Sequence, residues 1–484
     1  MRPLSRTWLA WLTPHPRRLS TGLVAAAVAV AVVAAPATAA VAAAPSPSAH
    51  QVQARHPSPS TPAGSPNAVI AWNAHAGAAS VDACFIGGNG PQEARMYAMM
   101  HIAIHDALNA IDRQSRPYAA DLHAPRWTST DAAVATAARD VLVPTLGSFS
   151  FFLPADCVNA GVASIEADYA AALAGVPDGA AKTQGIALGQ QAASAVLTLR
   201  ADDGYDTPLP DPSFQEGTEP GEYRYTPGTP FAFYPHLGED LLPFALKDGT
   251  QFRPRGPLSV TSPKYAADVN EIQHLGGDGV TTPSDRTADQ TQIALFWVES
   301  SPLAWSRIAR TVATSQGLDL WQSARLFALL NAALTDGYIG TFEAKYHYLF
   351  WRPVTAIQLA DTDGNPATIA DPTWTPLLPV PPIPDYDSGH AVEGGAGAQV
   401  LKRFFHTDRI SFTNCSYTLP SGQTCADPAP TLRSFTSFSQ AAQENAVSRI
   451  YVGYHFRDAV EVGTHHGEKI ANWTVDHILQ PRRR

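Results

Sequence analysis

Wherever this chain shows a hydrophobic period, apolar residues return every three or four positions, and no run alternates apolar with polar. The first spacing lines one face of a helix, whereas a half-buried strand would need the second. That asymmetry restricts the chain to an all-α fold, a helical bundle with long irregular connections. Helical patterns cover about 91–112, 129–145, 155–175 and 179–202. They resume at Ser262-Pro263, an N-cap followed by a first-turn proline, and run through Ile357 with breaks at Pro302 and Gly317. Further helices are expected from Ser388 through Phe405, over about 435–454 and over 457–478. Two Pro-rich stretches interrupt the pattern. Residues 203–261 hold no period and read as a long crossover on the surface, the lip of a cleft. Residues 361–384 form the second. The division predicts an N-terminal helical region with its crossover, 67–261, and a C-terminal helical domain carrying the site, 262–480.

The first 66 residues are of another kind. Arg17 and Arg18 precede an apolar run from Gly22 to Ala35, and Ala37-Thr38-Ala39 supplies small residues at its exit. This is the pattern of a cleaved export signal over residues 1–39, compatible with the twin-arginine or the general secretory route. Residues 40–66 are mostly Ala, Pro, Ser and Gln and read as a disordered linker. No later segment is apolar for long enough to span a bilayer, so the expected protein is secreted, with no stable membrane span after cleavage. The net charge is −10, and no basic stripe precedes the last four residues, which excludes a nucleic-acid partner. The four cysteines suit an oxidising compartment: Cys415 and Cys425 can close a short loop, and Cys84 and Cys157 can form a second bridge, although sequence alone permits three pairings. The oligomeric state is left open.

Chemistry concentrates in three segments. In KYHYLFWRP, Lys345 and Arg352 stand seven residues apart, two turns along one helix face and roughly 10 Å apart. Two cations so placed can reach one anion, and Pro353 should bend the helix just beyond them. In DYDSGH, Ser388 suits a helix N-cap, Gly389 lets the backbone approach a ligand, and His390 can exchange a proton with a bound oxygen. In SRIYVGYHFRD, six steps rotate a helix by about 240°, so Arg449 and His455 cannot face one spot from a straight helix. One of them, His455, should enter from the turn.

Taken in order, K-x6-R-P, S-G-H and S-R-x5-H resemble the signature of the type 2 phosphatidic acid phosphatase and vanadium haloperoxidase superfamily. The flanking text FWRPVTAI, SGHAVEGGAGAQVL and SRIYVGYHFRDAVEVG is similar to its soluble, secreted haloperoxidase-like branch. The resemblance implies that Lys345, Arg352 and Arg449 neutralise a bound vanadate or phosphate. Ser388 and the Gly389 N–H bond its oxygens, His390 is the acid–base group, and His455 binds vanadium or attacks phosphorus. With vanadate as cofactor the reaction would be halide oxidation by hydrogen peroxide. The alternatives are a cofactor-free acid phosphatase working on phosphomonoesters through a phosphohistidine, and a non-catalytic phosphate-binding descendant. In each case the partner is a small molecule. Three positions depart from the pattern. Asp387 replaces the usual proline before Ser-Gly-His, Ile383 stands where halogenating members have an aromatic residue or His, and Ala459 occupies the place of an Asp four residues after the second His. The role of orienting His455 is left to Asp458 or Glu461.

Other candidates have plainer readings. His101 and His105 lack the further ligands of a metal site and read as packing. Asp361-Thr362-Asp363-Gly364 reads as a turn, and His465 and His466 as a solvated helix face.

Overall fold

The computed structural model describes residues 67–482, apart from 86–89, 152, 207–210 and 212. The expected signal and linker, and the chain's last two residues, lie outside the described residues. Among those described the protein is helical, with one two-stranded exception. The helices are α1 (Ala68–Asp82), α2 (Gly90–Ile111), α3 (Thr130–Ser148), α4 (Ala155–Ala174), α5 (Ala180–Leu199), α6 (Leu237–Asp240) and α7 (Pro263–Leu275). They continue with α8 (Ala288–Phe296), α9 (Ser301–Ser315), α10 (Leu320–Tyr348), α11 (Pro353–Gln358), α12 (Gly389–Phe405), α13 (Phe438–Tyr451) and α14 (Arg457–His477).

Local chemistry sets many of these boundaries. Asn67 accepts from the N–H groups of Val69 and Ile70 and so starts α1, a helix the periodicity did not show because its small apolar residues lie all round. Ser262 caps α7 with Pro263 in its first turn. Thr287 with Gln290, and Asp319 with Gln322, form capping boxes that open α8 and α10. The stretch read as one interrupted pattern to Ile357 is thus five helices, α7 to α11. Pro302 begins a helix rather than breaking one.

Helix α10 is buried along almost its whole length and packs on α2 on one side and α12 on the other. One continuous core runs from Val69 to Leu479. The α12–α14 pair approaches closely because glycines face backbone: a Cβ on Gly467 would lie 1.9 Å from Val392 O, and one on Gly395 2.2 Å from Thr464 O. Residues 203–261 are largely irregular and are tied to α10. The Asp336 carboxylate accepts the N–H groups of Phe244, Ala245 and Leu246, and Arg253 pairs with Glu343.

Strands β1 (Phe412–Asn414) and β2 (Arg433–Phe435) pair antiparallel across the connection that holds the Cys415–Cys425 disulfide. The second disulfide joins Cys84 to Cys157. Among the described residues, no helix is long and apolar enough to cross a membrane.

Candidate active site

Three chain segments meet beside the ends of α10, α12 and α13, over a second apolar cluster that includes Trp351, Tyr386, Ile450 and Phe456. The first leaves α10. Lys345 lies in its last turn, and Leu349 ends it in the left-handed region. Beyond that point the backbone pairs with the crossover: Tyr223 N–H donates to Leu349 O at 2.7 Å and Trp351 N–H to Gly221 O at 2.9 Å. Arg352 then immediately precedes α11, where Pro353 has no N–H to lose. The expectation of one continuous helix face is therefore corrected. Lys345 and Arg352 stand on either side of a helix break, because residues 221–223 take the backbone groups that a continuing helix would use.

Both cations are buried. Lys345 Nζ donates to three carbonyls, Pro384 at 2.9 Å, Asp385 at 2.8 Å and Asp387 at 2.6 Å. Those are all the donors an ammonium has, so Lys345 contributes charge to the site and no free N–H. Burial, then the Arg352 cation, pull its pKa down to about 7. Arg352 Nε donates to Ile383 O at 2.6 Å, and Nη1 reaches Tyr454 O at 3.1 Å and His455 Nε2 at 3.0 Å. Its Nη2 is buried without a partner.

The second segment is the turn into α12. Ser388 precedes the helix, but its Oγ makes no capping bond and is buried without a partner. A Cβ on Gly389 would meet only Thr341 Cγ2, at 3.9 Å, so there is open space against this backbone. His390 is half-buried, and its Nε2 lies 3.2 Å from Glu299 O. A carbonyl only accepts, so Nε2 carries the hydrogen and Nδ1 keeps its lone pair. Burial, then Arg449, hold this imidazole well below its ordinary value.

The third segment leaves α13. Arg449 lies in its last turn, donates from Nη1 to Trp297 O at 2.8 Å, and keeps Nε buried and unpartnered. The helix stops at Tyr451, and Gly453 turns the chain at φ 86°. No side chain fits there, since a Cβ would lie 2.7 Å from both Gly276 O and Pro376 Cβ. The turn brings His455 back beside Arg449, whose carbonyl accepts from the N–H groups of both Tyr454 and His455. His455 Nδ1 lies 2.9 Å from Asp385 Oδ1, although the carboxylate sits off the line of an ideal hydrogen bond. Burial, then Arg352, Lys345, Arg449 and His390, keep His455 well below its ordinary pKa.

The structure thus brings together Lys345, Arg352, Ser388, Gly389, His390, Arg449 and His455, and leaves Asp458 out. The Asp458 carboxylate lies 2.5 Å from Arg255 and 2.9 Å from Lys264, both half-exposed, and Glu461 is 3.6 Å from Lys264. Neither stands at His455. The first turn of α14 aims position 458 away from the site, so this expectation is corrected. The reading of His466 as solvated is corrected too. Only His465 is exposed, whereas His466 is buried with Nδ1 2.9 Å from Asp387 Oδ2. Thr341 Oγ1 donates to the other Asp387 oxygen at 2.6 Å. These partners engage both oxygens of the Asp387 carboxylate. Three features escaped sequence reading: the Asp385 carboxylate, the carbonyls of Trp297 and Glu299, and the support of Thr341 and His466. Backbone carbonyls carry no sequence signal, and the other residues come from offsets no motif specifies. His105 is a packing residue, bonded to Asp106 and Ser115, and Asp363 closes a turn onto Asn365.

Comparison with known proteins matches this geometry to a family. A model of the vanadium chloroperoxidase (VCPO) second helical-bundle domain matches residues 325–483, the stretch that holds all three segments. Over this stretch the chain is similar to vanadium haloperoxidases. The vanadium chloroperoxidase of Curvularia inaequalis is 28% identical over 247 residues, a match that spans 40% of this chain and 40% of that protein. A bacterial vanadium-dependent iodoperoxidase shares the fold with a TM-score of 0.68 at 23% identity, covering 86% of this chain and 98% of that one. A holo-type bacterial vanadium-dependent chloroperoxidase follows at 0.60 and 17% identity, covering 80% and 92%.

Several donors at this site have no partner in the protein. Arg352 Nη2, Arg449 Nε and Ser388 Oγ are buried polar atoms with no protein partner, and buried donors of this kind normally have one. Together with the open space at Gly389 they are groups that could hold a small anion. Among the described residues no group of three or more His, Cys, Asp or Glu could hold a metal ion.

Proposed function

We propose that this chain binds vanadate and oxidises halide with hydrogen peroxide, as an exported enzyme acting on small molecules. The observation that carries the reading is the set of unpartnered buried donors, Arg352 Nη2, Arg449 Nε and Ser388 Oγ, grouped with His455 and His390. Vanadate, when bound, would supply the centre that activates peroxide toward halide. His455 Nε2, which now accepts from Arg352 Nη1, is the nitrogen available to hold it. Arg352 and Arg449, with the Lys345 charge behind them, offset the negative charge in a space that excludes water, where such stabilisation is strongest. His390 Nδ1 is free to take a proton from peroxide and return it to a leaving oxygen. The two disulfides support export to an oxidising compartment.

A paired assay tests the proposal: bromide and iodide oxidation with added vanadate and peroxide, against p-nitrophenyl phosphate hydrolysis without metal. Vanadate-dependent halide oxidation is the expected result. Phosphatase turnover inhibited by vanadate, with no halide oxidised, would overturn it.

A further inference from the structure

We propose that Asp385 is the positioning residue of His455, and that Lys345 helps by fixing the segment that carries Asp385. The inference rests on the oxyanion-site reading above and adds a role for residues it leaves unexplained.

A histidine that binds through one nitrogen needs an acceptor at the other to hold its tautomer and its ring. The chain carries Ala459 four residues after His455, and the Asp458 carboxylate is engaged by Arg255 and Lys264. No acceptor for Nδ1 therefore comes from α14. Asp385 supplies one from the opposite side, with Oδ1 2.9 Å from Nδ1. The carboxylate is wholly buried and receives no aligned hydrogen bond from any group, and the imidazole of His455 is the one cationic or donor ring within ion-pair distance of it among the described residues. A buried carboxylate costs free energy unless a partner meets it, and His455 is the nearest donor that can.

The ties around Asp385 converge on holding it. Its own N–H donates to Phe350 O at 2.9 Å, and Arg352 Nε holds the carbonyl two residues before it. Lys345 places its three N–H groups on the carbonyls of residues 384, 385 and 387. Thr341 and His466 secure Asp387 on the far side. The Lys345 bonds all go to the backbone on either side of the carboxylate that faces His455.

Two readouts on ¹⁵N-histidine-labelled protein test this. One is the His455 tautomer by NMR in the ligand-free protein. The other is vanadate affinity by calorimetry. In the unsubstituted protein His455 should carry its hydrogen on Nδ1. Asp385→Ala should abolish that preference and weaken vanadate binding by about 10- to 100-fold, the usual cost of losing an outer partner of a ligating histidine. Asp385→Asn keeps an acceptor oxygen and should recover most of both, which also serves if the alanine variant fails to fold. Lys345→Met should shift the tautomer along with affinity. An unchanged tautomer in Asp385→Ala would overturn the role of Asp385, and so would a tautomer preference lost in Asp385→Asn. A Lys345→Met protein that loses vanadate affinity with the tautomer intact would overturn the role of Lys345. Should the unsubstituted protein bind no vanadate, the oxyanion reading falls, while the tautomer still decides whether Asp385 positions His455.

Discussion

The α3–α5 contact and the α12–α14 contact are built with the same device and carry different cargo. In both, glycines let two helices approach to backbone distance. Gly185 and Gly189 of α5 face Ser129 O and Ala133 O, as Gly395 and Gly467 face Thr464 O and Val392 O. Around the first pair the buried groups are mostly Ala, Val and Leu. Beside the second lie a buried His, several buried carboxylates and donors with no partner. Close packing alone therefore makes no site. What separates the two regions is the helix ends: α10, α12 and α13 all begin or stop beside one another, and each end delivers a polar group that a helix middle would have kept apart.

The sharpest way to break that contrast is His455→Ala. It should remove vanadate binding and halide oxidation, a loss on the order of 10²–10³-fold or more, with thermal unfolding little changed. Retained turnover would detach the chemistry from the turn at Gly453. Next come the two disulfides, one in each region. Replacing Cys84 and Cys157, which are 73 residues apart in sequence, should cost about 4 kcal/mol. Replacing Cys415 and Cys425, ten residues apart, should cost about 3 kcal/mol. Chemical denaturation of both variants checks the order. Gly467→Ala forces a Cβ against Val392 O and should destabilise by about 1–3 kcal/mol while weakening oxyanion binding. Gly189→Ala should destabilise similarly and leave binding alone; a binding defect there would erase the distinction between the regions.

A pH experiment follows two buried groups of α2, outside both contacts. Burial raises Glu93, bonded by Ser300 and Tyr97, to about 7. Because the folded value exceeds the unfolded one, this group's contribution is full below about pH 4.5 and is lost as pH rises toward 7. Its slope approaches roughly 1.4 kcal/mol per pH unit within that window. Burial lowers His101 to about 3, so stability associated with it falls as pH drops below about 6.5. Glu93→Gln should flatten the first dependence and spare the second, as followed by denaturation across pH. The smallest effect is reserved for Asp458→Asn. Its partners Arg255 and Lys264 are half-exposed, so the loss should stay within about 1 kcal/mol, with vanadate affinity unchanged in calorimetry.

Much of the fold was legible because periodicity reports helices directly. The span of α2 follows from its apolar spacing, and the start of α7 from Ser262 and Pro263. The break between Lys345 and Arg352 was not legible, since it depends on pairing with residues more than a hundred positions earlier. The motif spacing identified Arg352, Ser388, His390, Arg449 and His455 as residues to look for together. It could not locate Asp385, because the carboxylate facing His455 comes from another segment and obeys no offset from it. Asp387 was readable as an anomaly and not as a solution, for its compensation lies in His466, 79 residues further on. Side-chain identity travels well along a sequence; pairing across the fold does not.

The three carbonyls gathered by Lys345 have one more consequence. They knit the wall at residues 384–387 to the end of the longest of the described helices, so an anion bound as proposed should need little rearrangement of that wall. Association free energy is then not diverted into ordering a loop, and discrimination between similar ions falls to shape at first encounter. Such a receptor should show fast capture and little difference in hydrogen exchange along this segment between its empty and filled forms.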